Sequence, residues 1–272
     1  MEIQLWRSIL CPYELAVKEL VVKFEHIIAE SKANDRYCPI ESVSGRVKSV
    51  SSILEKMKRK HIPMERMQHE VEDIAGIRLI CQFEEDIDIV ARIIQNRSDM
   101  EVKVIKDYVT HFKQSGYRSF HMIILYDVET IDGPKRVNAE IQIRTMAMNF
   151  WATIEHTLQY KYKGEMPAHI ADRLSKAAEA VNLLDQEMAS VRSDIIDAQV
   201  SSQMQSNLIQ DILTNIENLY KIANQREIMK IQDEFLRVYR TNDRRQLERF
   251  HKELDIISEG FHAQAVNREF FK

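Results

Sequence analysis

From Arg136 to Lys161, RVNAEIQIRTMAMNFWATIEHTLQYK, the hydrophobic period switches from that of a strand to that of a helix with no loop between. Val137 to Arg144 alternates apolar and polar residues, so a strand here sets Glu140, Gln142 and Arg144 on one face and Ile141 and Ile143 on the other. A carboxylate, an amide and a guanidinium then line a single surface. From Thr145 onward Met146, Phe150, Ile154 and Leu158 recur at every fourth position and are expected to form a buried stripe, with Asn149, His156 and Tyr160 together on a different flank. An acidic strand running into a helix with a polar flank suits one wall of a nucleotide site. A packed strand and helix with ordinary surface polarity gives the same pattern, and periodicity alone does not separate the two.

The glycines limit how such a site could hold phosphate. Only six occur, none within GxxxxGK[ST] or GxGxxG, so P-loop and Rossmann cradles are excluded and side chains must do the holding. A net charge of -4 gives no global pull toward nucleic acid or membrane, so affinity for polyphosphate has to come from local clusters. With 44% hydrophobic and 29% charged residues, the 272-residue chain has the composition of a soluble globular protein with a real core. Cys11, Cys38 and Cys81 are odd in number, far apart, and without CxxC spacing or neighbouring histidines, which argues against a disulfide framework or zinc site and fits a reducing cytoplasm. The start, MEIQLWRSIL, has no sustained apolar run, and no window approaches the roughly 20 apolar residues of a membrane span, so neither export nor membrane insertion is expected.

Along the chain, Val17, Leu20, Phe24, Ile27 and Ile28 predict an amphipathic helix from about Pro12 to Glu30, and Ser31 to Pro39 a loop. SVSGRVKSVSSILEKMKRKHIP ends at Pro63. Read as a helix, it puts Val50, Ile53, Leu54 and Met57 on one face and Lys48, Ser52, Lys56 and Arg59 in a narrow arc opposite, with Arg46 just before. Three cations and a hydroxyl make either a comb for a chain of phosphates or a solvated basic face. EVEDIAGIRLICQF predicts an inner strand preceded by Asp73, which is a cap, a turn residue or a metal ligand. Asp86 and Asp88 have the DxD spacing, yet the helical run Ile87, Ile89, Val90, Ile93, Ile94 continues through them, and both are expected at the surface. EVKVIKDYV and HFKQSGYRSFHMIILYDV predict two more strands joined by a glycine turn, where Tyr117 either stacks on a base or packs on the core. Beyond Lys163 only helical patterns remain: Met166 to Val200, with Ile170, Leu174, Ala177, Ala178, Val181, Leu184 and Met188 on one stripe, then amphipathic segments from Asn207 to Phe271. Those segments carry Ile209, Ile212, Ile216 and Leu219, then Ile228, Ile231, Phe235 and Val238, then Leu247, Phe250 and Leu254.

GRVKSVSSILEKMKRK, EDIAGIRLICQF, SGYRSFH and EIQIRTMAMNFWATIEH, in this order and spacing, resemble the synthetase domain of the RelA/SpoT alarmone enzymes, and more narrowly the stand-alone small alarmone synthetases of Gram-positive bacteria, over about Leu5 to Val200. The resemblance implies an α+β fold, a mixed sheet flanked by helices. Residues 1–200 would form the synthetase domain, and residues 201–272 an all-helical C-terminal extension. It implies transfer of the β,γ-pyrophosphate of ATP to the 3′-hydroxyl of GDP or GTP, giving AMP and the stringent-response signals ppGpp or pppGpp. Asp73 and Glu140 would hold Mg²⁺, with Glu140 also the base; Arg46, Lys48, Ser52, Lys56, Arg59 and Arg78 would bind ATP, the two arginines Arg46 and Arg78 enclosing adenine. Tyr117 would stack on guanine, Lys113, Asn149 and His156 would contact the acceptor, and Gln142 and Arg144 would support the carboxylate strand.

No HD dipeptide occurs, so the hydrolase half of the long bifunctional relatives is expected to be missing. The family's alarmone-binding cleft residues are replaced here by Val21, Glu25 and Ser42, with Lys23 as a partial substitute. A homotetramer is the oligomer implied. Two rivals remain: a nucleotide- or RNA-binding regulatory protein, which would not need Asp73 and Glu140, and a pyrophosphokinase with another acceptor, against which only Tyr117 and Asn149 speak.

Overall fold

The computed structural model describes residues 2–161 and 166–270, and the chain divides into two compact units, residues 1–190 and 191–272. In the first unit α1 (Glu2–Ala33), β1 (Ser42–Val47) and α2 (Val50–Lys60) are followed by a short 3-10 turn and α3 (Met67–Glu70). Then come β2 (Ala75–Cys81), α4 (Glu85–Gln95), β3 (Glu101–Asp107), β4 (Phe120–Thr130), β5 (Gly133–Thr145), α5 (Met146–Lys161) and the start of α6 (Ala168–Leu219). Among the described residues the strands form one mixed sheet in the order β1-β2-β5-β4-β3, with β2 and β5 parallel and the other neighbours antiparallel.

Register gives the two faces their chemistry. Directly paired residues share a face, so Ile77, Ile141 and Met122 form one apolar row and Ala75, Ala139 and Ile124 another. All six are within 1% of complete burial, in a core that also takes Tyr13, Leu20 and Phe24 from α1 and Val90 and Ile94 from α4. The opposite face carries Arg46, Gly76 and Glu140 in one row and Arg78, Gln142 and His121 in the next. Gly45 lets β1 run close under α1: a Cβ there would lie 2.7 Å from Val17 Cγ1 and from Val21 Cγ2.

Several expectations need correction. The basic stretch is not one helix. Ser42–Val47 is a strand, and Ser49, whose Oγ accepts from Ser52 N–H at 3.3 Å, caps α2, so Lys48 lies in the connection. Ile53 and Met57 are buried as anticipated, but Leu54 is exposed. The α1 helix begins well before Pro12, the proline falling within it. Asp86 is fully buried rather than superficial, accepting hydrogen bonds from Tyr37 Oη at 2.6 Å and Phe83 N–H at 3.2 Å, whereas Asp88 is exposed.

The stripe assigned to α5 is also reversed. Met146, Phe150, Ile154 and Leu158 are 57%, 65%, 41% and 43% exposed, and Met148, Trp151 and Ala152 are buried instead. Polar anchors set the helix rotation: Thr145 Oγ1 accepts from Met148 N–H at 3.0 Å, and Trp151 Nε1 donates to Leu174 O at 3.0 Å. The side chain of Tyr160 lies outside the described residues.

In the second unit α6 continues to Leu219 without the break expected near Val200, followed by α7 (Gln225–Thr241) and α8 (Arg244–Phe270). Ile212, Ile216, Leu219, Phe235, Leu247, Phe250 and Leu254 form its core, as their spacing anticipates. In the part of α6 that belongs to the first unit, Leu184 and Met188 of the repeating stripe are exposed, whereas Ala178 is buried.

Candidate active site

On the polar sheet face Asp73, in the turn before β2, meets the cations that sequence spacing had grouped. Its carboxylate is held by Lys48 Nζ at 2.8 Å and Lys56 Nζ at 2.7 Å. Burial alone would push this acid up, but the two ammonium groups more than offset that and keep its pKa below the ordinary aspartate value. A cleft of about 640 Å³ is lined there by Arg46, Lys48, Ser52, Lys56, Arg59 and Asp73. A smaller recess next to it brings Arg46, Asp73, Arg78, Glu140 and Gln142 together, so the two carboxylates share one cavity wall.

Glu140 belongs to a closed hydrogen-bond ring. Gln142 Nε2 donates to Glu140 Oε2 at 2.7 Å, and His121 Nδ1 lies 3.1 Å from Glu140 Oε1. His121 Nε2 is 2.9 Å from Tyr117 Oη, which accepts from Arg144 Nη2 at 2.6 Å, and that same Nη2 donates to Gln142 Oε1 at 2.9 Å. Arg144, 5% exposed, is fixed further by Ser119 Oγ at 3.1 Å. Burial opposes ionisation of Glu140, but the bonds from His121 and Gln142 outweigh it and the nearby Asp73 charge, leaving its pKa lowered. Both acids are therefore ionised at neutral pH.

On the far side of the ring a cavity of about 530 Å³ is lined by Arg46, Arg78, Lys113, Tyr117, Gln142, Arg144 and His156. Lys113 Nζ sits 4.8 Å from the Tyr117 ring centroid and 4.7 Å from that of Tyr108. Burial, then Arg144 and Arg46, lower the Arg78 pKa, and its Nε is a buried donor with no protein partner. Such a group is suited to a ligand acceptor. His156 also lines the basic cleft, so it borders both cavities. Asn149 is not among the lining residues; its Oδ1 is buried without a protein partner. Lys23 is already engaged within its own chain, 2.7 Å from Asp99 Oδ2 and 4.9 Å from the Tyr126 ring centroid.

Sequence reasoning did not single out His121, although SGYRSFH contains it. Its part depends on β4 register, which sets it beside Gln142; alternation along β4 alone could have put it on the polar face. Among the described residues no group of three or more His, Cys, Asp or Glu side chains forms a ready metal cage, so any ion here would need ligands beyond Asp73 and Glu140.

A family model described as a region found in RelA/SpoT proteins matches residues 45–165. The GTP pyrophosphokinase YjbM of Bacillus subtilis is 48% identical over 204 residues, covering 74% of this chain and 95% of that protein. The crystal structure of small alarmone synthetase 1 from Bacillus subtilis bound to its product pppGpp superposes with a TM-score of 0.69 at 48% identity, covering 71% of this chain and 98% of that one. The same synthetase bound to AMPCPP gives a TM-score of 0.63 at 44% identity, with the same coverage. With a relative matched over nearly its whole length and a shared fold, the chain belongs to the RelA/SpoT family, among its small alarmone synthetases.

Proposed function

We propose that this enzyme is a GTP pyrophosphokinase that moves the β,γ-pyrophosphate of ATP to the 3′-hydroxyl of GDP or GTP, releasing AMP and forming ppGpp or pppGpp. One observation carries the reading: Asp73 and Glu140, both ionised, share a recess between a basic cleft and a cavity walled by Tyr117. The similar synthetases that hold pppGpp and AMPCPP support the same pair of substrates.

Arg46, Lys48, Ser52, Lys56 and Arg59 bind the triphosphate and spread its charge, and Arg46 and Arg78 take the adenine between guanidinium planes. Tyr117 stacks on guanine; Lys113 and His156 hold the acceptor; Gln142 and Arg144 keep Glu140 oriented. Glu140 takes the proton from the 3′-hydroxyl, the 3′-oxygen bonds to the β-phosphorus, and the bond from that phosphorus to the α–β bridging oxygen breaks as AMP leaves. Asp73 and Glu140 suit a Mg²⁺ ion, which binds through one or two carboxylates plus water and phosphate oxygens and would neutralise charge on the transferred group. Lys48 and Lys56 then exchange Asp73 for phosphate.

We place the enzyme in the cytoplasm, in keeping with its three unpaired cysteines, and expect a homotetramer, for which the exposed apolar residues of α5 offer surface. Light scattering giving the mass of a single chain would exclude that assembly.

The deciding experiment incubates the purified protein with labelled ATP, Mg²⁺ and each guanine nucleotide. The expected products are equal amounts of AMP and a 3′-pyrophosphorylated guanine nucleotide, and Glu140→Gln should lower kcat by about two to four orders of magnitude. ADP as product, or equal use of adenine and guanine acceptors, would overturn the assignment.

A further inference from the structure

The acceptor cavity has two walls that arrive from different parts of the chain: the turn carrying Lys113, Ser115 and Tyr117, and α5, which supplies Ala152, Thr153 and His156. Both walls rest on one short stretch of α6. The turn does so at Gly116, whose φ of +85° is a conformation that favours glycine and where a Cβ would come within 2.4 Å of Ala178 Cβ. On α5, Trp151 Nε1 donates to Leu174 O at 3.0 Å, and Trp151, Ala152 and Ala178 are buried together with Tyr117, Leu174 and Val181 packed around them.

A third contact is polar. Asp185, 5% exposed, accepts a hydrogen bond at 2.7 Å from Thr145 Oγ1, itself fully buried. The same Oγ1 accepts from Met148 N–H at 3.0 Å. Thr145 is thus the N-cap of α5 and the last residue of β5, five positions after Glu140. A threonine hydroxyl has one hydrogen; Asp185 takes it, which turns the oxygen lone pairs toward the helix end. A buried carboxylate is costly to retain, so its presence asks for a reason beyond filling space.

Building on the activity assigned above, we propose that Asp185 is a positioning residue for the acceptor: through Thr145, and together with the Leu174 and Ala178 contacts, it holds α5 and the Tyr117 turn at the separation a guanine nucleotide requires. The ATP-side residues Lys48, Ser52, Lys56 and Arg59 sit on the β1–α2 segment, and of the α5 residues only His156 also borders their cleft, so the larger effect falls on the acceptor.

The test uses the full chain, measuring GDP and a non-hydrolysable ATP analogue separately by calorimetry and then steady-state kinetics. Asp185→Ala and Thr145→Val should weaken GDP binding about five- to thirty-fold and raise its KM in step, with the ATP analogue within about twofold of wild type. Asp185→Asn and Thr145→Ser keep an acceptor and a hydroxyl and should stay within about threefold for both nucleotides. Equal loss of both nucleotides, unchanged GDP affinity, or an Asn variant as damaged as the Ala variant would overturn the proposal. Should Asp185→Ala and Thr145→Val fail to fold, Ala178→Val decides, since it presses on Gly116 with the polar pair intact: weaker GDP binding supports the proposal and unchanged binding refutes it. If the wild type binds GDP but makes no AMP, the assigned reaction fails while binding still judges Asp185; if it binds neither nucleotide, both fail.

Discussion

Arg144 can only donate hydrogen bonds, and Glu140 as a carboxylate can only accept them. Facing the Glu140 carboxylate, His121 Nδ1 acts as a donor, while Tyr117 Oη joins His121 Nε2 to the Arg144 guanidinium. A donor at His121 Nδ1 and the Gln142 amide between them hold both oxygens of the proposed base. His121→Ala should lower kcat/KM by about 10- to 100-fold, the usual scale for a residue that orients another. Lys56→Met should raise the KM for ATP about tenfold with a smaller change for the guanine nucleotide, as steady-state titration of each substrate would report. Glu140, Gln142 and Arg144 were legible as one face because alternation is a local property. His121 was not, because its proximity to Glu140 is created by the pairing of β4 with β5.

Elements are aligned by close contacts that spacing does not reveal. Within GRVK, the glycine is required by α1 rather than by phosphate, since Val17 and Val21 leave no room for a methyl group. Gly45→Ala should therefore destabilise the fold by about 1–3 kcal/mol, measured as a lower midpoint in urea with an unchanged slope. The basic stretch also shows how a wrong element can still yield a coherent group. Arg46 on β1, Lys48 in the connection and Lys56 and Arg59 on α2 line the same cleft although they do not share a helix. For α5 the period was right and the rotation wrong. Its apolar residues occupy more than one side, and Thr145 and Trp151 decide which side is covered.

At the scale of the whole molecule, stability and pH are linked through acids shifted in opposite directions. The folded state lowers the Asp73 and Glu140 pKa values, so they contribute stability that is present above their unfolded values and lost as pH falls through the folded ones. Asp185 runs the other way. Burial raises it to about 6, the Thr145 bond only partly opposing this, so the folded state binds the extra proton and stability drops as pH rises from about 4 to 6. Asp185→Asn cannot ionise and escapes that loss. Its thermal midpoint should exceed wild type by about 2–6 °C at pH 7.5 and equal it at pH 4, and a difference independent of pH would refute the assignment.

Sequence by itself determined the order of elements from β2 to α5, the absence of a glycine phosphate cradle, the polar face of β5 and the apolar stripes of the last two helices, because each is set by residue type at short spacing. Tertiary structure decided that His121 closes a ring with Glu140, that Asp73 lies between two lysines, that Asp86 is interior, and that α5 turns its fourfold stripe outward. Those outcomes depend on strand register and on the rotation of one element against another, which distant side chains and buried hydrogen bonds determine together.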